Sequence, residues 1–191
     1  MLPKWSPIFN QKQALPMQFV FEHNANALLP FLDEIGRHIH TILPGSDDAD
    51  ILVHRCKFIL TELCTNGIKH SGQPHSIFNI YVEDKHLVIQ RKDRGMPFHP
   101  TAGKKGQPVY VQDVEGTITL TEDDINRLNM QRVDEHSVKF YVEEVPLTYI
   151  PGRQKMNEHF GLIIICRSSD RFVYSRLPDG LNVFTVFVPV T

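Results

Sequence analysis

Three polar side chains that could bind a ligand recur at a fixed spacing near the end of an apolar-patterned stretch. Glu62, Asn66 and His70 follow one another at intervals of four residues. In a helix this spacing gives one row that turns by only about 40° at each step, toward the apolar stripe of the same helix. That stripe consists of Leu52, Cys56, Ile59 and Leu63. Polar groups at the edge of a core need partners, because an unpaired buried one costs about 1 to 3 kcal/mol.

A bound ligand is one source of such partners. The alternative is that Glu62 and Asn66 lie at the water-facing margin of the helix. His70 would then end the helix and place favourable charge at the C-terminal end of its dipole. The spacing alone does not decide between these two interpretations.

A second candidate site follows an expected strand, in the run DRGMPF at residues 93–98. A carboxylate such as Asp93 at the end of a strand can accept a hydrogen bond from an exocyclic amine. Gly95 would let a flat ligand approach the backbone closely. An ordinary Asp-x-Gly turn stiffened by Pro97 explains the same residues without a ligand. The presence of the acid and amide row earlier in the chain favours the ligand site.

The two runs together resemble the motifs of a known protein family. Residues 62–70, ELCTNGIKH, resemble the N box of the GHKL (Bergerat-fold) ATPases, and residues 93–100, DRGMPFHP, resemble their first glycine box. The D-x-G-x-P-F form is most similar to the anti-sigma-factor serine kinases. Two later runs, FGLI at 160–163 and DGLNVFT at 179–185, resemble the second glycine box and the closing strand. The resemblance covers about residues 17–100 and 157–190.

The resemblance implies a role for each matched residue in binding Mg-ATP. Asn66 would coordinate the Mg²⁺ that bridges the phosphates, and Glu62 would act as general base or orient the attacking hydroxyl. Gly161 would lie beside the phosphates at a helix N-terminus. Phosphoryl transfer needs mainly positioning and charge neutralisation, so this small set of residues is chemically sufficient when Mg²⁺ is present.

The same resemblance implies how the base is held. Asp93 would bind the adenine amine, and Gly95 would give the backbone clearance for the base. Thr185 would support the adenine-binding carboxylate from the neighbouring strand.

The function implied is an ATP-binding regulatory protein that inhibits or phosphorylates a protein partner, such as a sigma factor or an antagonist of an anti-sigma factor. In kinases of this family the acceptor is a serine on the partner. The second glycine box normally carries several glycines, whereas the run NEHFG at residues 157–161 has one. The alternative is therefore a non-catalytic protein-interaction module on the same fold, with a degenerate nucleotide site.

The apolar pattern predicts the elements that position these residues. We expect a strand at residues 17–21, at a sheet edge because Pro16 precedes it, and then a helix capped by Asn24. The acid and amide row lies on a second helix. Further strands are expected at residues 76–82, 86–90, 137–142, 171–176 and 182–188, and residues 121–128 have the cap and first-turn acids of a helix. Residues 161–166 fit either a buried strand or a short helix, and the resemblance favours the helix.

The order of these elements predicts an α+β fold. We expect a two-layer α/β sandwich whose mixed, mostly antiparallel sheet carries helices on one face. The domain organisation expected is an N-terminal arm at residues 1–15 and a single domain at residues 16–191. Within that domain, an insertion at residues 101–157 would replace the nucleotide lid.

Composition limits the other classes of function. A formal net charge of −2 argues against a polyanion-binding surface, so direct binding of nucleic acid is not expected. No apolar run is long enough to span a bilayer, and three scattered cysteines fit the reducing cytoplasm. The histidine pairs His38 and His40, or His70 and His75, lack the helical spacing of metal ligands. Self-association as a homodimer is compatible with the sequence.

Overall fold

The computed structural model describes residues 16–44, 49–102, 106–123, 125–145 and 159–190. The expected arm at residues 1–15 lies outside these ranges. The helices are α1 (Leu28–Ile42), α2 (Ala49–His70) and α3 (Phe160–Arg167). The strands are β1 (Met17–Glu22), β2 (His75–Glu83), β3 (His86–Asp93), β4 (Thr101–Ala102), β5 (Gln107–Pro108), β6 (Thr117–Glu122), β7 (Asn126–Arg132), β8 (Ser137–Glu144), β9 (Arg171–Arg176) and β10 (Asn182–Pro189).

Eight of these strands form one sheet in the order β1-β2-β3-β10-β9-β8-β7-β6. Every pairing between these strands is antiparallel. β1 lies at one edge, as the proline before it predicted, and β6 lies at the other. The expected α+β class with a mostly antiparallel sheet is therefore confirmed for the described part of the chain.

The two long helices form where the apolar periodicity predicted them. The side chain of Asn24 accepts a hydrogen bond from the Asn26 amide and caps a single 3-10 turn that leads into α1. Ile35 and Ile39 of α1 are fully buried, as are Cys56 and Ile59 of α2. No helix in the described ranges has the length and apolar character needed to cross a membrane.

A tight turn joins β2 to β3, and the pairing of β3 with β10 brings two residues of the cleft wall together. Asp84 and Lys85 have φ values of 47° and 62° and join β2 to β3 by a two-residue turn. This left-handed backbone matches the twist of a hairpin. β3 then continues to Asp93, beyond the expected end at Gln90, and Asp93 lies directly opposite Asn182 of β10.

The segment expected to be a helix at residues 121–128 forms parts of β6 and β7 instead. Asp123 accepts hydrogen bonds from the amides of Ile125 and Asn126, so its carboxylate belongs to a turn rather than to a first helical turn. Leu128 and Met130 alternate into the core, which is a strand pattern. β6, β7 and β8 extend the main sheet beyond β9, an arrangement that the sequence pattern did not predict.

Candidate functional site

A cleft of about 710 Å³ opens between the C-terminal half of α2, the loop after β3 and the start of α3. This volume is within the range of about 300 to 1,000 Å³ that is typical of small-molecule sites. The predicted site residues Glu62, Asn66, Asp93 and Gly161 all contribute to its wall. Gly95 and Thr185 do not.

Glu62 and Asn66 face the cleft one helical turn apart on α2. Both side chains are half-buried, and neither forms a hydrogen bond with another described residue. Burial raises the pKa of the Glu62 carboxyl above its usual value, and the nearby charge of Lys69 opposes that shift. The polar atoms of such half-buried side chains need hydrogen-bond partners, which a ligand or water would supply.

Gly161 lies in the first turn of α3, as the resemblance implied, but it faces Glu62. A Cβ at this position would lie 2.3 Å from Glu62 Oε2 and 3.2 Å from its Cδ. Glycine therefore lets the Glu62 carboxylate rest against the N-terminal turn of α3, where negative charge is favourable. Glu62 is the neighbour that the structure shows for Gly161, and the implied position of Gly161 beside phosphates stays a prediction.

His159 and Phe160, the two residues before Gly161, have different surroundings. The Nε2 of His159 lies 2.8 Å from the carbonyl oxygen of Thr101, to which it donates, so the start of α3 is tied to β4. Phe160 is 63% exposed and contributes to the wall of the cleft.

Asp93 lies at the inner wall of the cleft, and its carboxylate is already paired. Oδ1 accepts hydrogen bonds from the Gly95 amide at 2.9 Å and from Asn182 Nδ2 at 2.8 Å. Oδ2 accepts from Nη2 of Arg91, and the Asp93 side chain is only 1% exposed. The acceptor expected for an adenine amine is therefore engaged within the chain.

Arg91 lines the cleft and pairs with Asp93, which was not predicted from the sequence. Its Nε donates to Ser76 Oγ at 3.1 Å and its Nη1 donates to the Leu63 carbonyl at 3.0 Å. The guanidinium carbon lies 4.8 Å from the centre of the Phe184 ring. Burial lowers the pKa of the guanidinium, and Asp93 opposes that shift. The sequence signal that could have identified Arg91 is its position two residues before Asp93. Residues i and i+2 of a strand lie on the same face, so a cation there can pair with the carboxylate.

Thr185 does not support Asp93, which corrects the role implied for it. Its hydroxyl accepts a hydrogen bond from Gln90 Nε2 at 3.3 Å. On its own strand, each of these two residues is next to a residue that lines the cleft. They therefore lie on the other face of the sheet. The residue opposite Asp93 is Asn182.

Asn182 holds several groups of the inner wall in place. Its Oδ1 accepts from the Tyr174 hydroxyl at 2.8 Å and from Arg176 Nη1 at 2.7 Å. Its Nδ2 donates to Asp93 and to the carbonyl of Met96. Because its polar atoms are engaged, Asn182 positions the carboxylate and the loop that follows β3.

Gly95 provides clearance for the chain itself. A Cβ on Gly95 would lie 2.0 Å from the carbonyl oxygen of Ser71, just after α2. The next amide, that of Met96, donates to this same oxygen at 3.2 Å. Glycine is required here because the loop packs directly on the end of α2, whereas its expected role was clearance for a base.

The residues at the cleft fit a magnesium ion that is carried by a ligand's phosphates. In the described ranges no group of three or more His, Cys, Asp or Glu side chains is arranged to hold a metal. Mg²⁺ is often held by only one or two protein oxygens together with substrate phosphates and water. The amide of Asn66 faces the cleft without a hydrogen-bond partner among the described residues and can supply such an oxygen.

Comparison with known proteins gives no assignment. No family model matches the chain. No curated protein matches it either. The function is therefore inferred from the cleft and from the residues that form it.

Proposed function

We propose that the chain is an ATP-binding regulatory protein of the GHKL type, with its α/β sandwich fold, which binds a magnesium nucleotide in the cleft. It would inhibit or phosphorylate a protein partner, such as a sigma factor or an antagonist of an anti-sigma factor. The observation that supports this most is the pair formed by Glu62 and Asn66. These side chains face a cleft of suitable size without a hydrogen-bond partner in the described ranges.

Each of the two residues has a chemical role in this proposal. Asn66 would hold Mg²⁺, which supplies neutralisation of phosphate charge when bound. Glu62 would accept the proton of the attacking hydroxyl or orient it. Burial raises the pKa of Glu62, and a carboxylate with a raised pKa is a better match for proton transfer near neutral pH.

The biological setting is part of the same proposal. The acceptor would be a serine on the partner protein, and the expected location is the cytoplasm. Cys56, Cys64 and Cys166 are free thiols, which is compatible with a reducing compartment. A homodimer is compatible with the proposal.

Calorimetric titration with ATP and ADP, with and without Mg²⁺, tests the proposal on the full chain. We expect binding that depends on Mg²⁺ and that Asn66→Ala weakens at least about tenfold, because a lost ligand of the metal or of a phosphate typically costs more than about 1.4 kcal/mol. His54→Ala is the matched control, since His54 is exposed on the same helix outside the cleft wall. Equal binding by the native chain and Asn66→Ala would contradict the assigned role.

A second candidate function is a non-catalytic interaction module, and the pairing of Asp93 favours it. Both oxygens of this carboxylate are satisfied by Arg91, Gly95 and Asn182. A site that no longer binds a nucleotide does not need a free carboxylate to accept a hydrogen bond from the base. This candidate predicts that the native chain shows neither nucleotide binding nor turnover, and measurable turnover would eliminate it.

A further inference from the structure

His159 connects two parts of the cleft wall that are far apart in the sequence. Its Nε2 lies 2.8 Å from the carbonyl oxygen of Thr101 and 3.1 Å from the hydroxyl oxygen of the same residue, which is 58 positions earlier in the chain. Thr101 follows the loop after β3, and His159 directly precedes α3. Both residues contribute to the wall of the cleft. The imidazole therefore joins the loop after β3 to the start of α3.

The side chain of His159 is used for this connection rather than for capping α3. A residue at the N-cap position usually accepts a hydrogen bond from an amide of the first turn through its side chain. His159 holds that position, and its side chain makes no such bond among the described residues. Its backbone carbonyl accepts hydrogen bonds from the amides of Leu162 and Ile163 at 3.0 and 3.2 Å. A displacement of His159 would therefore shift the first turn of α3.

The first turn of α3 in turn limits the space available to Glu62. Gly161 is two residues after His159, and a Cβ on Gly161 would lie 2.3 Å from Glu62 Oε2. The carboxylate therefore lies directly against the backbone of this turn. A misplacement of about 1 Å at a reacting group can lower a rate by about a hundredfold. The position of His159 thus bears on whether Glu62 can act on a substrate.

We propose that His159 is a positioning residue, which places the Glu62 carboxylate in the cleft by holding the start of α3 on Thr101. The inference rests on the proposed function for what Glu62 does, and it adds the residue that fixes where the carboxylate lies. The alternative is that packing alone holds α3, since three of its apolar residues are buried. Removal of the imidazole would then leave Glu62 unchanged.

NMR spectroscopy of the Glu62 carboxyl carbon in the full chain tests the inference without a nucleotide. We expect His159→Leu, which removes the donor, to shift this signal. His159→Gln should restore the native signal, because a glutamine amide can donate to the Thr101 carbonyl. Gly161→Ala should also shift the signal, because the added methyl displaces the carboxylate directly.

The matched control is His86→Leu. The imidazole Nε2 of His86 lies 3.3 Å from an Asp170 carboxylate oxygen, and His86 lies outside the wall of the cleft. Its removal should leave the Glu62 signal at its native position. A native signal in His159→Leu would overturn the inference, and so would a shift of the same size in His86→Leu.

Turnover of Mg-ATP gives a second measurement on the same variants. We expect His159→Leu to lower kcat at least about tenfold at an unchanged KM, because general acid–base groups contribute about a hundredfold or more and act on the chemical step. A native kcat in His159→Leu would overturn the inference and leave the proposed function standing. A native chain without nucleotide binding would overturn the proposed function, and the Glu62 signal would still decide whether His159 places the carboxylate.

If His159→Leu does not fold, the imidazole proton of His159 in the native chain decides. We expect the proton on Nε2 to be protected from exchange with solvent, because it donates to the Thr101 carbonyl. Rapid exchange of this proton would overturn the inference.

Discussion

The guanidinium of Arg91 lies between α2 and the Phe184 ring, and a chain of hydrogen bonds connects it to the start of the domain. Its Nε donates to Ser76 Oγ, and that hydroxyl lies 2.7 Å from Nε2 of His23. The Nδ1 of His23 lies 2.6 Å from the Gln73 carbonyl. Because a carbonyl only accepts, Nδ1 carries the proton, and Nε2 is free to accept from the Ser76 hydroxyl. With this tautomer the network is satisfied by a neutral His23.

The first prediction at this scale concerns pH. Burial lowers the pKa of His23 below its ordinary value of 6.5, and the Gln73 carbonyl opposes that shift. The unfolded chain therefore binds more protons in the window below about 6.5, so the stabilisation from neutral His23 is complete above that pH and is lost as pH falls. We expect the unfolding free energy of the native chain to decrease more on acidification than that of His23→Gln.

Denaturant unfolding at several pH values between about 5 and 8, the range over which histidine charge changes, measures this difference. His54→Gln serves as the control, because His54 is exposed on α2. Parallel pH profiles for the native chain and His23→Gln would show that His23 is not the group responsible.

Part of this residue-scale detail could be read from the sequence. The row of Glu62 and Asn66 follows from helical periodicity alone, and the structure places both at the cleft. Arg91 was missed because β3 was expected to end at Gln90, which put Arg91 and Asp93 in a loop. With the strand continuing to Asp93, the two residues share a face and pair.

Among the elements, the end of α2 and the loop after β3 are in direct backbone contact at the site. The carbonyl of Ser71 accepts from Met96 and lies where a Cβ of Gly95 would be. This junction fixes the distance between the helix that carries Glu62 and Asn66 and the strand that carries Asp93. Its geometry requires a residue without a side chain.

We predict that Gly95→Ala destabilises the fold by about 1 to 3 kcal/mol, since an added methyl in a closed contact forces the backbone to shift. Gly36→Ala on α1 is the matched control. Its Cβ would meet Val53 Cγ1 at 3.4 Å, an ordinary contact, and alanine is the better helix former by about 1 kcal/mol. Chemical denaturation of both variants measures the difference. Similar stabilities for the two variants would contradict the packing role of Gly95.

Helices and strands were predicted correctly where the sequence pattern lies within one element or one hairpin. The α1 and α2 stripes and the β2–β3 hairpin are local patterns, and the structure confirms them. The residue that supports Asp93 depends on register between β3 and β10, which a single strand does not specify. Asn182 and not Thr185 therefore holds that position.

At the scale of the whole molecule, the sheet has two parts with different relations to the cleft. β2, β3 and β10 are neighbours in the sheet, and β3 and β10 contribute Arg91, Asp93 and Asn182 to the cleft. β6, β7 and β8 continue the same sheet on the far side of β9. The sequence separated residues 101–157 as an insertion by composition, but it could not show that its strands join the main sheet, because the pairing that joins them, that of β8 with β9, involves a strand outside this segment. Its role as a replacement for the nucleotide lid stays a prediction.

The most direct test of the central claim is the melting temperature of the native chain with and without Mg-nucleotide at millimolar concentration. A ligand at a hundredfold excess over its dissociation constant stabilises the folded state by about 2.7 kcal/mol. We predict a rise of several degrees with Mg-ATP, which is reduced when Mg²⁺ is withheld or Asn66 is replaced by alanine. An unchanged melting temperature with every nucleotide would contradict the claim that this cleft binds one.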